Sequence, residues 1–258
     1  MWNEPGSMVI TGRPYAYREL SEDGRRIQAK VLEHYRHFHA ILEVLLRGQP
    51  RDTLKSLSDT NRVLVDIVEH EHTSARTVQE AFNRANEAIT EQETLLVRLY
   101  DPAAGDAVFV PDTNALIYNP GLEHWTFLDT PKFTLVLTPT VLSELDALKI
   151  NHRNEAVRDK AERLIRQIKE YRRRGRLVDG VPLVTGVSTL QTIAMEPKLG
   201  DSLPWLVPAN NDDRFIAAVL EVMRIRPRAP VVLISRDINL QNKAEFAGLP
   251  FLEPPDPV

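Results

Sequence analysis

The stretch FVPDTNALIYNP, residues 109–120, indicates the fold of this chain. An apolar run from Ala107 to Val110 predicts a short buried strand, which Pro111 closes. Asp112 follows at the carboxyl end of this strand, and the apolar residues after Asn114 predict a helix that begins at once. Open α/β folds bind their ligands at this edge of the sheet. The stretch therefore predicts a carboxylate beside a ligand site.

The alternation of strand and helix continues to the end of the chain. Residues 133–137 (FTLVL) and 231–234 (VVLI) predict further buried strands, a strand lies between 181 and 194, and a short one ends at 252. Helices are predicted in the intervals: one holding Val141, Leu145 and Leu148, and others at 153–174, 210–224 and 239–247. This order predicts an α/β fold with a parallel sheet flanked by helices over residues 106–253.

Residues 15–102 predict a separate all-α domain of antiparallel helices. Apolar residues recur at helical spacing, and the breakers between 101 and 106 mark a boundary. The pattern predicts a buried seam formed by two sets of residues. They are Ile27, Val31, Phe38, Leu42 and Leu45 in the first helix, and Val78, Ala81, Phe82, Ala85, Ile89, Leu96 and Leu99 in the third. Three roles are open to this domain: clamping RNA over the site, self-association and binding of a regulatory protein. Residues 1–14 are expected to form a disordered arm and residues 254–258 a disordered tail.

Composition excludes several classes of site. The chain has no cysteine, which excludes disulfides, cysteine zinc sites and thiol nucleophiles and favours a cytoplasmic location. No apolar run approaches ~20 residues, and no signal peptide is evident, so we expect no membrane span. The net charge of −4 argues against a uniformly basic surface for nucleic acid.

Four carboxylates follow elements that end at one edge of the predicted sheet. Asp112 and Asp237 each come directly after a strand, whereas Glu144 and Asp213 border the buried faces of two helices. Like charges gather only around a cation, and oxygen ligands without cysteine or histidine suit Mg²⁺ or Mn²⁺. Such a cluster activates water and stabilises the oxygens of a phosphodiester displacement. The residues thus predict a metal-dependent phosphodiesterase.

The same motifs resemble the PIN domain. Asp-Thr-Asn at 112–114, Pro139-x-x-x-x-Glu144, Asn-Asp-Asp-Arg at 211–214 and Ser-Arg-Asp at 235–237 occur in that order. Their spelling is closest to the PIN domains of nonsense-mediated-decay endonucleases and PhoH-associated proteins. The resemblance implies an endoribonuclease for single-stranded RNA, with Mg²⁺ or Mn²⁺ bound by Asp112, Glu144, Asp213 and Asp237.

The resemblance also implies supporting roles. Asn114 would orient Asp112, Ser235 would hydrogen-bond within the cluster, and Asn239 matches the pattern after the last acid. Helical periodicity lets both Asp212 and Asp213 face inward, and the resemblance favours Asp213. Asp112 on its own would be read as a helix cap, and the acids at 212 and 213 as partners of a helix dipole.

Residues 149–176 contain eleven Lys and Arg against four Asp and Glu. One interpretation is a solvated helix with local ion pairs. The other is a phosphate-binding surface beside the acidic site, with Lys149, Arg153 and Arg214 as further contacts to the substrate. Two other functions stay open: an RNA- or protein-binding module with weak or regulated nuclease activity, and a flap-type DNA nuclease.

Overall fold

The computed structural model describes residues 20–69, 75, 77–100 and 105–257. These residues divide into two compact units. One comprises the described residues up to His39 together with Gly48–Arg98, and the other comprises Ala40–Arg47 and the described residues from Leu99 onward. The predicted arm at 1–14 lies outside the described residues. Within the described part, no helix is both long enough and apolar enough to cross a membrane.

The predicted helical region before the α/β fold is confirmed. It contains α1 (Glu22–Leu45), α2 (Arg51–Val68) and α3 (Val78–Leu99). The side-chain amide of Gln92 is fully buried and donates to the hydroxyls of Tyr35 at 2.9 Å and Thr60 at 3.1 Å. These hydrogen bonds connect all three helices. The last turns of α1, from Ala40, group with the α/β unit and not with the region 15–102 to which the sequence assigned them.

The predicted buried seam of the helical region is wrong at several positions. Ile27, Val31 and Phe38 on α1 and Val78, Phe82 and Ile89 on α3 are exposed. The buried residues of α3 are Ala81, Ala88, Gln92 and Leu95, of which Ala81 was predicted. The two hydrogen bonds that Gln92 donates offset the cost of burying its NH₂ group. The predicted Leu42 and Leu45 on α1 are also buried, so the prediction is wrong only for the large residues farther from this face.

The predicted α/β fold is also confirmed. The described residues form a six-stranded sheet of β1 (Ala107–Pro111), β2 (Phe133–Leu137), β3 (Val181–Val184), β4 (Ser188–Thr192), β5 (Val231–Ile234) and β6 (Phe251–Leu252). Their order is β3-β4-β2-β1-β5-β6, and every pair is parallel except β3 with β4. After β1 the chain adds β2, β3 and β4 on one side of it. It then crosses back and adds β5 and β6 on the other side of β1. The topological switch point lies between β1 and β5.

The region 181–194 contains two strands and not the single strand predicted. β3 and β4 pair as an antiparallel hairpin. Gly186 lies in its turn with φ +77°, a left-handed conformation that glycine adopts without strain. The sequence did not reveal the turn between them, because the hydrophobic pattern of Val-Pro-Leu-Val does not differ enough from that of Ser-Thr-Leu-Gln-Thr to separate two strands.

Five helices cover the sheet, within the described residues: α4 (Thr113–Tyr118), α5 (Pro139–Asn151), α6 (Glu155–Arg174), α7 (Asn211–Ile225) and α8 (Ile238–Phe246). Each begins after a residue whose side-chain oxygen accepts a backbone N–H, namely Asp112, Thr138, Asn154, Asn210 and Asp237. These caps fix where each helix begins.

The end of the chain is not the disordered tail that the sequence predicted. The Tyr118 hydroxyl donates to Asp256 at 2.6 Å, and the Asn119 amide donates to the carbonyl of Pro255 at 3.1 Å. Pro254 is buried. Residues 254–257 therefore pack against the end of α4, while Val258 lies outside the described residues.

Candidate active site

Two acids lie at the switch point of the sheet, and both cap helices. Asp112 follows β1 and accepts from the Ala115 amide at 2.6 Å, whereas Asp237 follows β5 and accepts from the Asn239 amide at 2.8 Å. β1 and β5 are hydrogen-bonded neighbours, which brings the two turns together. The helix-cap interpretation of Asp112 thus holds, and it is compatible with a second role for the other oxygen.

Ser235 joins these two turns. Its hydroxyl donates to Asp112 Oδ2 at 2.5 Å and accepts from the Asp237 amide at 2.9 Å. The side chain of Ser235 is fully buried and has a hydrogen bond to each of the two turns. Asp112 is therefore oriented by Ser235 and Ala115, and within the described residues it has no hydrogen bond to Asn114.

Glu144 reaches the same edge from α5. The Thr113 hydroxyl donates to Glu144 Oε2 at 2.5 Å, which fixes the carboxylate beside Asp112. Sequence analysis missed Thr113. Its position could have identified it, because Thr113 lies between Asp112 and Asn114 and is the first residue of the helix that Asp112 caps.

The environment of Asp112 shows that three of the acids act on one another. Burial, together with the smaller effect of the negative charges of Asp237 and Glu144, raises the pKa of Asp112 to about 6, although the hydrogen bonds from Ser235 and Ala115 act to lower it. Asp112 is 6% exposed. The site therefore concentrates negative charge on a carboxylate that water screens poorly.

The two acids at the start of α7 are held differently. Asp213 is 5% exposed, and its oxygens accept from the Val207 amide at 2.9 Å and from Lys243 Nζ at 2.7 Å. Lys243 Nζ also donates to Asp212 at 3.2 Å. Burial lowers the pKa of Lys243, but its bonds to Asp213 and Asp212 outweigh that and raise it above the usual value. Lys243 was not identified from sequence, although it lies one and a half turns into α8 after Asp237.

These side chains surround a cavity of about 320 Å³. Asp212 lines it, whereas Asp213, which the sequence favoured, does not. Its polar lining is Asp112, Thr113, Asn114, Glu144, Asn211, Asp212 and Asp237, and its apolar wall includes Val141, Leu148 and Phe215.

The donor chemistry of this cavity fits a hard divalent cation, because its charged groups are carboxylates. The positions of the side chains fit less well. Among the described residues, no three acidic or histidine side chains are arranged to hold one ion. Asp112, Glu144, Asp213 and Asp237 each accept a hydrogen bond from a protein donor.

The remaining predicted site residues lie at different distances from the cavity. Asn114 is exposed at its rim, and Asn239 contributes its backbone amide to Asp237. Lys149 and Arg153 are not among the lining residues, and neither is Arg214, whose guanidinium pairs with Glu196 at 2.5 Å. The structure thus brings the acids together but not the three predicted cations.

The basic helix α6 has two kinds of cation. Arg166 pairs with Glu162 and Arg173 with Glu170, as a solvated helix would. Lys169 and Arg172 have no carboxylate partner in the described part of the chain. Together with Arg176 they line a groove of about 430 Å³ whose floor includes Leu142, Ile165, Ile168, Leu177 and Val178.

Comparison with known proteins adds one finding. The family model described as PIN domain matches residues 109–253, which contain every acid of the cavity. No curated protein matches the chain.

Proposed function

The chain belongs to the PIN domain family, whose model matches more than half of it, and we propose that it is a divalent-metal-dependent endoribonuclease acting on single-stranded RNA. PIN domains are generally nucleases. The observation that carries the proposal is the joining of Asp112, Glu144 and Asp237 around one cavity by Ser235 and Thr113. The absence of cysteine supports a cytoplasmic location.

In this proposal Asp112, Glu144 and Asp237 would hold Mg²⁺ or Mn²⁺. Asp213, the fourth ligand that the family resemblance implies, accepts from Lys243 and does not line the cavity. The bound ion would polarise the phosphate and supply an activated water. Ser235 keeps Asp112 and Asp237 at a fixed separation, and Thr113 keeps Glu144 turned toward them. Because these donors are buried or partly buried, they hold Asp112 and Glu144 in defined orientations.

The groove of α6 is the proposed track for the RNA backbone. Lys169 and Arg172 form no ion pair within the described residues and outnumber Asp146, the one acid in the groove lining, so they can bind phosphates, and the apolar floor can contact a base. Lys149 and Arg153 lie on the chain between Glu144 and α6, where they would continue this track. Arg214 could contact the RNA only after its ion pair with Glu196 is broken.

The alternative is an RNA- or protein-binding module with weak or regulated nuclease activity. One observation favours it: the acids are engaged by protein donors, and no three of the described ones form a ready-made metal site. For the helical unit we propose self-association, which the exposure of Ile27, Val31, Val78 and Phe82 supports. Light scattering of the full chain and of a Phe82→Glu variant tests this proposal.

The test of the main proposal is cleavage of labelled single-stranded RNA, and of DNA of the same sequence, in the presence of Mn²⁺. Asp112→Asn should reduce RNA cleavage by more than the roughly 10–100-fold that loss of an outer-shell partner costs. Asp106→Asn, an equivalent change at an exposed position, should leave it unchanged. If Asp112→Asn still cleaves RNA at the unaltered rate, the assignment of cleavage to this acidic site is wrong. A preference for DNA over RNA would favour the flap-type nuclease.

A further inference from the structure

One cation of the protein already lies within the acidic site. Lys243 extends from α8 and places its ammonium 2.7 Å from Asp213 and 3.2 Å from Asp212. The ammonium is about a quarter exposed and Asp213 is nearly fully buried, so this ion pair is partly shielded from water. A single positive group thus connects two neighbouring carboxylates at the start of α7.

The five acids of the site fall into two groups. The charges of Glu144 and Asp237 act on Asp112, and these three are joined by Ser235 and Thr113. Asp212 and Asp213 are joined by Lys243 instead. The second group also has a main-chain donor, since the Val207 amide occupies the other oxygen of Asp213.

We propose that the ammonium of Lys243 serves as a built-in cation for Asp212 and Asp213, so that the site takes one divalent ion, at the group formed by Asp112, Glu144 and Asp237. This inference rests on the proposed metal-dependent function. Lys243 is a positioning residue here, because it acts on the acids and not on the substrate.

Geometry and charge carry the inference. In two-metal sites the ions lie about 3.5–4 Å apart and share carboxylates. A second ion bridging Asp212 and Asp213 would occupy the space that the ammonium holds at hydrogen-bond distance from both. Displacing the ammonium would break two charge-assisted hydrogen bonds, and leaving it in place would set two cations side by side in a poorly screened site.

The arrangement also accounts for the depth at which Asp213 is buried. A carboxylate so nearly enclosed needs a permanent counter-charge in the absence of metal, and Lys243 supplies one. Asp212, the other acid that Lys243 contacts, lines the cavity.

Calorimetric titration of the full chain with Mn²⁺, together with the electron paramagnetic resonance signal of bound Mn²⁺, tests the inference. The unaltered protein should bind one ion per chain. Lys243→Met should bind two, and the rise in its melting temperature at saturating Mn²⁺ should be about twice that of the unaltered protein. Lys243→Arg keeps a cation and should still bind one ion, as should the exposed control Lys132→Met.

Two ions per chain in the unaltered protein would overturn the inference and leave the proposed function intact. One ion in a folded Lys243→Met protein, with an unchanged response of melting temperature, would also overturn it. If Lys243→Met does not fold, the stoichiometry of the unaltered protein still decides. No Mn²⁺ binding by the unaltered protein would overturn the proposed metal-dependent function and this inference together.

Discussion

Replacing Asp112 with asparagine should stabilise the metal-free protein above pH 7, even though we expect the same change to abolish cleavage. Asp112 is buried, and the chain holds it in place at a cost in folding free energy. Asparagine has nearly the same shape, and its oxygen can accept from Ala115. Its amide would donate to the Ser235 hydroxyl, which is the donor in the unaltered protein, so that hydrogen bond is kept with its direction reversed. The main change is the loss of the buried charge.

The size of the effect follows from the pKa of Asp112. Burial, and then the charges of Asp237 and Glu144, raise this pKa from 3.8 to about 6. At roughly 1.4 kcal/mol per pKa unit, the ionised carboxylate costs the folded state up to about 3 kcal/mol. We expect Asp112→Asn to recover about 1–3 kcal/mol of the free energy of unfolding.

The pH dependence gives the prediction its sign. Between pH 3.8 and about 6 the folded state holds a proton on Asp112 that the unfolded chain has released. The contribution of Asp112 to stability therefore falls as the pH rises through this window and is constant above it. The advantage of the asparagine variant should be absent near pH 4 and fully developed above pH 7.

Urea unfolding in a chelating buffer measures this advantage, with tryptophan fluorescence as the signal. Trp125 is buried in the core of the α/β unit and reports its unfolding. Asp106→Asn serves as the control, because its side chain is exposed and its replacement should not alter stability. A variant at Asp112 that is less stable at pH 8, or an advantage that does not change with pH, would refute the reasoning.

Three further predictions concern the supports of the site. Thr113→Val should slow cleavage, because Glu144 loses the hydrogen bond that positions it, while unfolding in urea should show a loss of only about 1 kcal/mol. Asn210→Ala should cost about 1 kcal/mol in the same unfolding assay, since it removes the cap of α7. Replacing Lys169 and Arg172 with glutamine should lower the slope of log Kd for RNA against log salt by about 1–2, as measured by fluorescence anisotropy.

A specific result would contradict each of these three predictions. Unchanged kinetics in Thr113→Val would show that the Glu144 carboxylate needs no positioning. A full loss of the folded state in Asn210→Ala would show that this residue does more than cap a helix. Glutamine at Arg166 and Arg173, which already pair with acids on α6, is the control for the salt experiment, and an equal effect there would contradict a specific role for the groove.

The placement of Asp112 and Asp237 could be predicted because it depends on local signals. Each acid follows an apolar run and precedes a helical pattern, and a strand followed by a capped helix needs no distant residue to be recognised. Thr138 with Pro139, and Asn210 before α7, are equally local and were placed within one residue of the observed helix starts. These signals were sufficient for the α/β order of the chain.

Contacts between distant parts of the chain could not be predicted in the same way. The tail was expected to be disordered because its composition is rich in proline, yet Tyr118 and Asn119 supply donors to it from α4. The seam of the helical region was assigned from apolar residues at helical spacing, whereas the buried face of α3 also contains the hydrogen-bonded Gln92.

The sequence by itself determined the alternation of elements, the edge at which the acids gather and the family to which residues 109–253 belong. Only the tertiary structure decided how Asp212 and Asp213 divide their roles. Neighbours on a helix point about 100° apart, so the packing of Phe215 and Ile216 on the sheet, which fixes the rotation of α7, selects the acid that lines the cavity. The same packing brings Lys243 to Asp213, because hydrogen bonds between helices form only after the core has set their positions.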